Sequence, residues 1–259
     1  MILTETGNKM SAHHTSEIDI RLNPDIVVKK YAEIFATTGR VHIPDILTPE
    51  SAARIHEALT TEVPWQTNFN DGEKGYTLHK IQVEAMTEVQ RNLLNTHITE
   101  KAKYGFQYIY NSYSLSDARA QKLNQDLFIN RVLDFVNSEA FLDFMRAVTG
   151  FQEATYADAQ CTLFRPGHFL TDHSDDVGGK NRLAAYVLNF TPHWRPDWGG
   201  ILQFIDNHGH ISQGFTPTFN ALNILKVPQK HSVSYVAPQA EGGRYSITGW
   251  LRKGEPEQL

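Results

Sequence analysis

The stretch Thr171-Asp172-His173-Ser174-Asp175-Asp176 is the centre of the sequence, because it holds the only His-x-acid pattern among 259 residues. Residues i and i+2 of an extended strand project to the same side, so His173 and Asp175 can reach one metal ion together. A third ligand must then come from another strand. His231 is suitable, because it opens His-Ser-Val-Ser-Tyr-Val, a β-branched and aromatic run typical of a strand.

Two imidazoles and one carboxylate on one face of a metal leave three positions open, which is the ligand set of non-haem Fe(II) oxygenases. The His-x-acid pattern is weak evidence on its own. With 12 histidines and 29 acidic residues, chance predicts about one such pattern in a chain of this length. Taken alone, it favours a polar turn with solvated side chains. The case for a metal therefore depends on its distant partners.

The last predicted strand, Arg244 to Leu251, supplies the most informative partner. A period of two places Arg244, Ser246, Thr248 and Trp250 on one face, which is too polar for a core unless it lines a cavity. A buried, unpaired guanidinium costs several kcal/mol, and a carboxylate ligand held in its planar fork removes that cost. The alternatives are an arginine paired with a protein acid, or one at a solvated strand end after Gly242-Gly243.

Composition limits the class of protein. The formal net charge is −5 and there is no basic block, so no nucleic-acid partner is predicted. Cys161 is the only cysteine, which excludes an intramolecular disulfide framework and suits a reducing compartment. Residues 1–20 lack a hydrophobic signal core, and no apolar run approaches membrane-spanning length, so we expect a cytoplasmic enzyme without membrane association. No pattern predicts the oligomeric state.

The order of elements predicts a mainly β protein with a helical N-terminal layer (α+β), built as a double-sheet jelly roll. Apolar spacing predicts helices over 24–38, 125–136 and 138–148. The helix-start residues Thr48-Pro49-Glu50 predict another helix over 48–61, with His56 exposed on it. Residues 66–80 are a predicted turn-rich loop, and residues 103–120 a strand or lid. Predicted strands lie near 41–43, 156–164, 182–190, 201–205, 221–227, 231–237 and 244–251. We expect a flexible tail over 1–23 and one domain over 24–259, with helical support over about 24–150 and the β core over about 151–252.

Four segments together resemble the prolyl 4-hydroxylase-like Fe(II)/2-oxoglutarate dioxygenases, most closely the branch that hydroxylates prolyl residues in translation-machinery proteins. They are Phe164 to Asp175, Leu188 to Phe204 with its Trp198-Gly199-Gly200, Lys230 to Ser234, and Gly243 to Trp250. The resemblance covers roughly residues 30–251 and is most specific from residue 160 onward. It implies a double-stranded β-helix, with His173, Asp175 and His231 as iron ligands and Arg244 as the anchor for 2-oxoglutarate.

The chain also departs from the family pattern at two positions. Family members often carry a tyrosine that contacts 2-oxoglutarate where this chain has Phe164 and where it has Asn189. Phe164 has no hydroxyl group. Asn189 could supply an amide instead, and Thr162 or Ser246 could compensate. These three residues are therefore further candidates for binding the co-substrate.

The resemblance implies Fe(II), 2-oxoglutarate and dioxygen as cofactor and co-substrates, with ascorbate as an additional candidate. The substrate it favours is a prolyl residue in a protein or peptide, and the alternative is a free amino acid or small natural product. Two other classes stay open. A zinc hydrolase can also use two histidines and one aspartate, although it has no need of Arg244. A non-catalytic jelly-roll binding module would keep only the barrel.

Overall fold

The computed structural model describes residues 19–176, 178 and 181–255. Most of the helical segments lie in the first half of the chain. The helices are α1 Val28–Thr38, α2 Pro49–Thr61, α3 Lys80–Ala85, α4 Glu88–Ala102, α5 Leu115–Ala120, α6 Arg131–Val136 and α7 Glu139–Thr149, with 3-10 turns at Phe128–Asn130 and Pro196–Trp198.

The strands lie mainly in the second half of the chain. They are β1 Arg40–Ile43, β2 Gln66–Asp71, β3 Lys74–His79, β4 Tyr108–Ser114, β5 Tyr156–Ala157, β6 Gln160–Phe164, β7 Phe169–His173, β8 Arg182–Asn189, β9 Leu202–Ile205, β10 Ile211–Phe215, β11 Ala221–Lys226, β12 His231–Val233 and β13 Arg244–Arg252.

Local sequence explains where several helices begin and end. The side chain of Thr48 accepts a hydrogen bond from the backbone N–H of Ser51, and Pro49 occupies the first turn of α2. Gly39 and Gly150, in left-handed conformations, follow α1 and α7. Glycine adopts such a conformation without the steric cost of a Cβ atom, so both helices end where the sequence predicts.

The described strands form one antiparallel sheet that curls into a nearly closed barrel. Ten of them follow the order β1-β11-β8-β13-β6-β4-β7-β12-β9-β10, while β2 pairs with β3 and β4, and β5 pairs with β13. Side chains join the two end strands of this order. The Nε atom of Arg40 on β1 donates to Gln213 on β10 at 2.6 Å, and its Nη2 donates to Ser212 at 3.2 Å. The guanidinium also lies 4.7 Å from the ring centre of Phe204. Arg40 therefore bridges the seam of the barrel.

The main core lies between the helices and one face of the sheet. Phe141 and Met145 of α7 pack with Tyr186, Leu188 and Ile247 of the sheet in one buried cluster. A separate, smaller cluster inside the barrel contains Phe164, Trp198 and Val233. The helical layer thus supports one side of the barrel, and the barrel interior is left for the candidate site.

The structure confirms the predicted mainly β fold with a helical N-terminal layer. The prediction of a loop over residues 66–80 is wrong, because β2 and β3 form a hairpin there and β2 also pairs with β4. Helix α4 was not predicted at all. The predicted helix over 125–136 is a 3-10 turn followed by the short α6. His56 is half-buried rather than exposed, since its ring lies between Phe219 and Tyr245, each at 6.0 Å.

The predicted N-terminal tail falls mostly on residues 1–18, which lie outside the described residues. The last residues of that range pack on the fold: Leu22 forms a β-bridge with Leu47, and Ile20 is buried. In the part of the chain that the structure covers, no helix combines the length and apolar character needed to span a membrane.

Candidate metal centre

Strands β7 and β12 bring the two candidate histidines together. They pair antiparallel, with His173 directly opposite His231, and the imidazole centres are 4.1 Å apart. Asp175 lies between the rings: its Oδ1 is 3.6 Å from Nε2 of His173, and its Oδ2 is 3.5 Å from Nε2 of His231. One ligand atom from each residue lies within 4.8 Å of the others. Among the described residues, His173, Asp175 and His231 form the one group of three or more potential ligands close enough together to bind one metal ion.

Hydrogen bonds to the backbone fix the orientation of both imidazoles. Nδ1 of His173 lies 2.9 Å from the carbonyl oxygen of Thr171, and Nδ1 of His231 lies 2.8 Å from that of Gln229. A carbonyl oxygen only accepts, so each Nδ1 carries the proton and each Nε2 keeps its lone pair for a metal. Burial lowers the pKa of His231, and the neighbouring His173 lowers it further. Both effects favour the neutral form that binds metal.

Asp175 reaches the site by a different route from the one that the sequence predicts. Strand β7 ends at His173, and Asp175 has a φ of 60°, in the left-handed region that few aspartates occupy. The side chain therefore turns back toward the rings instead of projecting by strand alternation. The structure brings His173 and Asp175 close together, but the extended backbone that the sequence predicts for Asp175 is wrong.

Arg244 is buried at the start of β13 and faces the same cavity as the three candidate ligands. Its guanidinium lies 5.2 Å from the ring centre of Phe164, and its Nε atom has no hydrogen-bond partner among the described residues. Burial lowers the pKa of Arg244 to about 10, so it is still a cation at neutral pH. A buried cation with an unused donor fits an anionic ligand such as a carboxylate.

The cavity has a volume of about 430 Å³, within the range of small-molecule sites. Its wall includes Tyr110, whose ring stacks on Phe164 with the centres 5.1 Å apart. Burial raises the pKa of Tyr110 to about 12, so its hydroxyl stays protonated and can donate. The ring of Phe164 thus packs against both the Tyr110 ring and the Arg244 guanidinium.

The three other candidates for co-substrate binding form one buried row across the sheet. Thr162 on β6 lies opposite Ser246 on β13, which lies opposite Asn189 on β8. The hydroxyl oxygens of Thr162 and Ser246 are 2.8 Å apart. Of the three, Thr162 lines the cavity. Asn189 donates to two backbone carbonyls at 3.3 Å, and its Oδ1 has no partner within the described chain. Their roles toward 2-oxoglutarate stay predictions.

Two residues at the cavity were not singled out as part of the metal site. The ring of Phe106 is half-exposed and lies 5.4 Å from that of His173. Arg182 opens β8 and contacts Asp175 directly. An arginine at the start of a strand carries no local signal, and the role of Arg182 depends on a contact with a residue seven positions earlier in the chain.

The other histidines near the motif lie outside the cavity. His168 forms part of the turn between β6 and β7, where its Nδ1 lies 3.2 Å from the backbone nitrogen of Arg165. His193 is exposed beside Trp198. His208 and His210 are exposed in a turn, and their backbone N–H groups donate to the side chain of Asp206.

Comparisons with known proteins agree with this geometry. Residues 159–252 match the family model of the 2OG-Fe(II) oxygenase superfamily. A segment of 120 residues, 44% of the chain, is 29% identical to prolyl 3-hydroxylase OGFOD1 of Mus musculus. That alignment spans only 22% of the length of the mouse protein.

Solved structures share the fold at low sequence identity. A prolyl-4-hydroxylase from Pseudomonas putida superposes with a TM-score of 0.55 at 16% identity, covering 88% of this chain and 100% of the other. A prolyl hydroxylase from Trichoplax adhaerens, in complex with a hypoxia inducible factor peptide fragment, gives 0.57 at 14% identity, covering 87% of this chain and 89% of the other. The predicted jelly-roll fold and the predicted resemblance are confirmed. Residues 159–252 are thus similar to the 2OG-Fe(II) oxygenase superfamily, and the chain shares the fold of the solved prolyl hydroxylases.

Proposed function

We propose that this chain is an Fe(II)- and 2-oxoglutarate-dependent dioxygenase that hydroxylates an unactivated C–H bond. The observation that carries the proposal is one cavity that holds both a convergent His-Asp-His ligand set and a buried guanidinium with an unused donor. The two features serve different ends of one small dianion. A keto-acid end needs a metal with open positions, and a distal carboxylate needs a planar fork.

The donor atoms suit the proposed metal. His173 and His231 would ligate through Nε2, and Asp175 through its carboxylate, because both Nδ1 atoms are already used by backbone carbonyls. Bound Fe(II) would supply the redox chemistry by which 2-oxoglutarate, dioxygen and a C–H bond become succinate, carbon dioxide and an alcohol. The protein fixes ligand geometry, keeps the far carboxylate on Arg244, and surrounds both with apolar walls such as Phe164 and Val233.

The substrate we favour is a prolyl residue in a protein or peptide. The aligned mouse relative is named as a prolyl 3-hydroxylase, and two of the similar structures are prolyl hydroxylases. Phe106 adds support: a large aromatic ring, 47% exposed, stands beside His173 at the cavity and can pack against a bulky substrate. A free amino acid or small natural product is the alternative. A cytoplasmic location, suggested by the single cysteine, belongs to the same proposal.

The direct test is turnover of 2-oxoglutarate in a metal-defined preparation. The purified protein is incubated with Fe(II), 2-oxoglutarate and oxygen, together with proline-containing peptides, a cell lysate, or free amino acids. Succinate is measured, and mass spectrometry locates a gain of one oxygen atom. We expect hydroxylation on a prolyl ring in the peptide or protein samples, with one succinate formed per hydroxylation.

Matched variants assign the activity to the site. His173→Ala removes a candidate ligand and is expected to abolish turnover, whereas His208→Ala, in an exposed turn, should leave it unchanged. Equal turnover by His173→Ala would refute the proposed metal site. Hydrolysis with Zn(II) and no succinate would favour a zinc hydrolase. Binding of a ligand without any turnover would favour a non-catalytic module.

A further inference from the structure

Asp175 needs an explanation beyond its role as a candidate ligand, because its backbone is in an unfavourable conformation. Its φ is 60°, in the left-handed region that residues with a Cβ atom rarely occupy, although aspartate enters it more often than most. The residue follows directly after the end of β7, so no strand pairing holds it there. Its carboxylate must nevertheless stay between two imidazoles. Another part of the structure has to fix this turn.

Arg182, the first residue of β8, makes that contact. Its Nη1 atom donates to the backbone carbonyl oxygen of Asp175 at 3.1 Å and lies 3.8 Å from the carboxylate oxygen Oδ1. Both side chains are nearly buried, at 9% and 11% exposure, so the interaction is only weakly screened by solvent. A hydrogen bond to the carbonyl restrains the peptide plane after Asp175, and with it the direction in which the carboxylate points.

The guanidinium of Arg182 is in turn held by an aromatic ring. It lies 3.6 Å from the ring centre of Trp250, on the neighbouring strand β13. The backbone nitrogen of Trp250 donates to Oδ1 of Asp158 at 2.7 Å, and Arg252 forms an ion pair with the same carboxylate at 2.5 Å. The backbone of Trp250 is thus held by the sheet and by the half-buried carboxylate of Asp158, and its ring lies against the guanidinium of Arg182.

From these contacts we infer that Arg182 is a positioning residue for the metal centre, acting through Asp175 and supported by Trp250. The inference rests on the proposed function, since it presumes that Asp175 binds the metal. Arginine suits this role because one planar group can stack on an indole while an edge N–H donates to a carbonyl. A lysine ammonium keeps the charge but has no planar face, so it cannot do both with the same geometry.

The test measures metal affinity rather than turnover. Co(II) is titrated into the metal-free protein, and binding is followed by its visible absorption, for the parent, Arg182→Lys and Arg182→Gln. We expect both variants to bind Co(II) about 10–100-fold more weakly, as is typical when a group that orients a ligand is lost. At saturating Fe(II), Arg182→Lys should recover most of its turnover with an unchanged KM for 2-oxoglutarate, because the ligands themselves remain.

Arg252→Lys is the matched control. Arg252 lies directly opposite Arg182 in the strand pairing and flanks the same Trp250 ring at 5.9 Å, but it pairs with Asp158. We expect its Co(II) affinity to stay within about twofold of the parent. An equal loss in this control would mean that the effect runs through the fold, and it would overturn the inference. So would unchanged Co(II) affinity in both Arg182 variants.

Failure of the inference can be told apart from failure of the proposed function. If the parent binds Co(II), His173→Ala does not, and Arg182→Lys binds as tightly as the parent, then only the positioning role falls. If the parent and His173→Ala are alike in showing no Co(II) binding, the metal centre itself is wrong and the inference falls with it. Thermal unfolding of the metal-free variants shows whether Arg182→Lys still folds, and Arg182→Gln provides a second measurement.

Discussion

At the scale of single residues, Arg244 shows how burial turns a charge into a recognition element. Arg244 is 2% exposed, and its Nε atom has no hydrogen-bond partner among the described residues. Its side chain faces a cavity instead of a protein carboxylate. Outside such a cavity, the cost of burying the charge would favour a different residue. The alternation of polar residues along β13 predicts this placement from the sequence, because a polar face in the middle of a sheet must line a solvated or ligand-binding cavity.

Replacing Arg244 should separate co-substrate binding from metal binding. In Arg244→Met, which keeps the bulk of the side chain but loses the fork, we expect 2-oxoglutarate affinity to fall by about 10–100-fold, the effect of losing hydrogen bonds to a charged group. Metal affinity should change little, since Arg244 contacts none of the three ligands. Titration of 2-oxoglutarate into the Co(II)-loaded variant measures this, and Arg195→Met at the exposed pair with Asp197 is the control. Unchanged 2-oxoglutarate affinity would refute the anchor.

His168 predicts a pH dependence of stability that is separate from the metal centre. Burial lowers the pKa of His168 from 6.5 to about 4, so the unfolded chain binds more protons than the folded one between these values. Its contribution is fully present above pH 6.5 and is lost as the pH falls toward 4. Between pH 7 and pH 5 we expect about 1–2 kcal/mol less free energy of unfolding from this residue.

Urea unfolding of the metal-free protein at pH 7 and pH 5 measures that loss. In His168→Gln, which keeps a polar side chain but does not titrate, the difference between the two pH values should shrink by the amount assigned to His168. His210→Gln, at an exposed turn, serves as the control and should behave like the parent. A pH response that is identical in His168→Gln and the parent would show that other groups cause it.

At the scale of elements, hydrophobic periodicity predicts the helices and strands that pack on the main core. It misses the elements that pack mainly on a neighbouring strand or hairpin. Helix α7 buries Phe141, Leu142, Phe144, Met145 and Val148, so its pattern is clear in the sequence. Helix α4 buries only Ile98 of its own residues and borders the β2–β3 hairpin. The hairpin is mostly polar and half-exposed, and its pairing with β4 supplies the order that its sequence does not show. Both elements therefore depend on tertiary contacts that no local pattern contains.

Gly249, in the middle of β13, lies close to Asp158 in the connection before β6. Replacing Gly249 therefore tests how tightly these two segments pack. A Cβ atom there would overlap the backbone carbonyl of Asp158 and lie 2.7 Å from the hydroxyl of Tyr186. That carbonyl cannot move freely, because it accepts a hydrogen bond from Tyr186 and its residue also bonds to Trp250. We expect Gly249→Ala to lower the free energy of unfolding by about 3 kcal/mol.

Chemical unfolding of Gly249→Ala beside Gly105→Ala measures this effect. A Cβ atom at Gly105 would meet nothing within 4 Å, so that variant should differ from the parent by less than about 0.5 kcal/mol. If both variants are equally stable, the close approach of β13 to Asp158 is not tight in solution. A large loss for Gly105→Ala alone would contradict the packing at both positions.

At the scale of the whole molecule, the candidate metal site joins parts of the chain that the barrel already brings close. His173 ends β7, Asp175 lies in the turn after it, and His231 opens β12. The residue types indicate that these three distant positions share one site, but they do not indicate on which side of the barrel the site lies. That depends on β7 pairing with β12, a contact between strands separated by β8 to β11 in the sequence.

Because the metal would bind the folded barrel and not the unfolded chain, its removal should destabilise the entire protein. At a free metal concentration 100 times the Kd, mass action adds about 2.7 kcal/mol to the free energy of unfolding. For a chain of this size that corresponds to a rise in Tm of roughly 5–10 °C. Differential scanning calorimetry with added Co(II), and again after a chelator, should show this rise and its reversal. His173→Ala should show neither, and His208→Ala should show both. Equal Tm values for the parent with and without metal, at concentrations that saturate the spectroscopic titration, would mean that the ion binds somewhere other than the folded site.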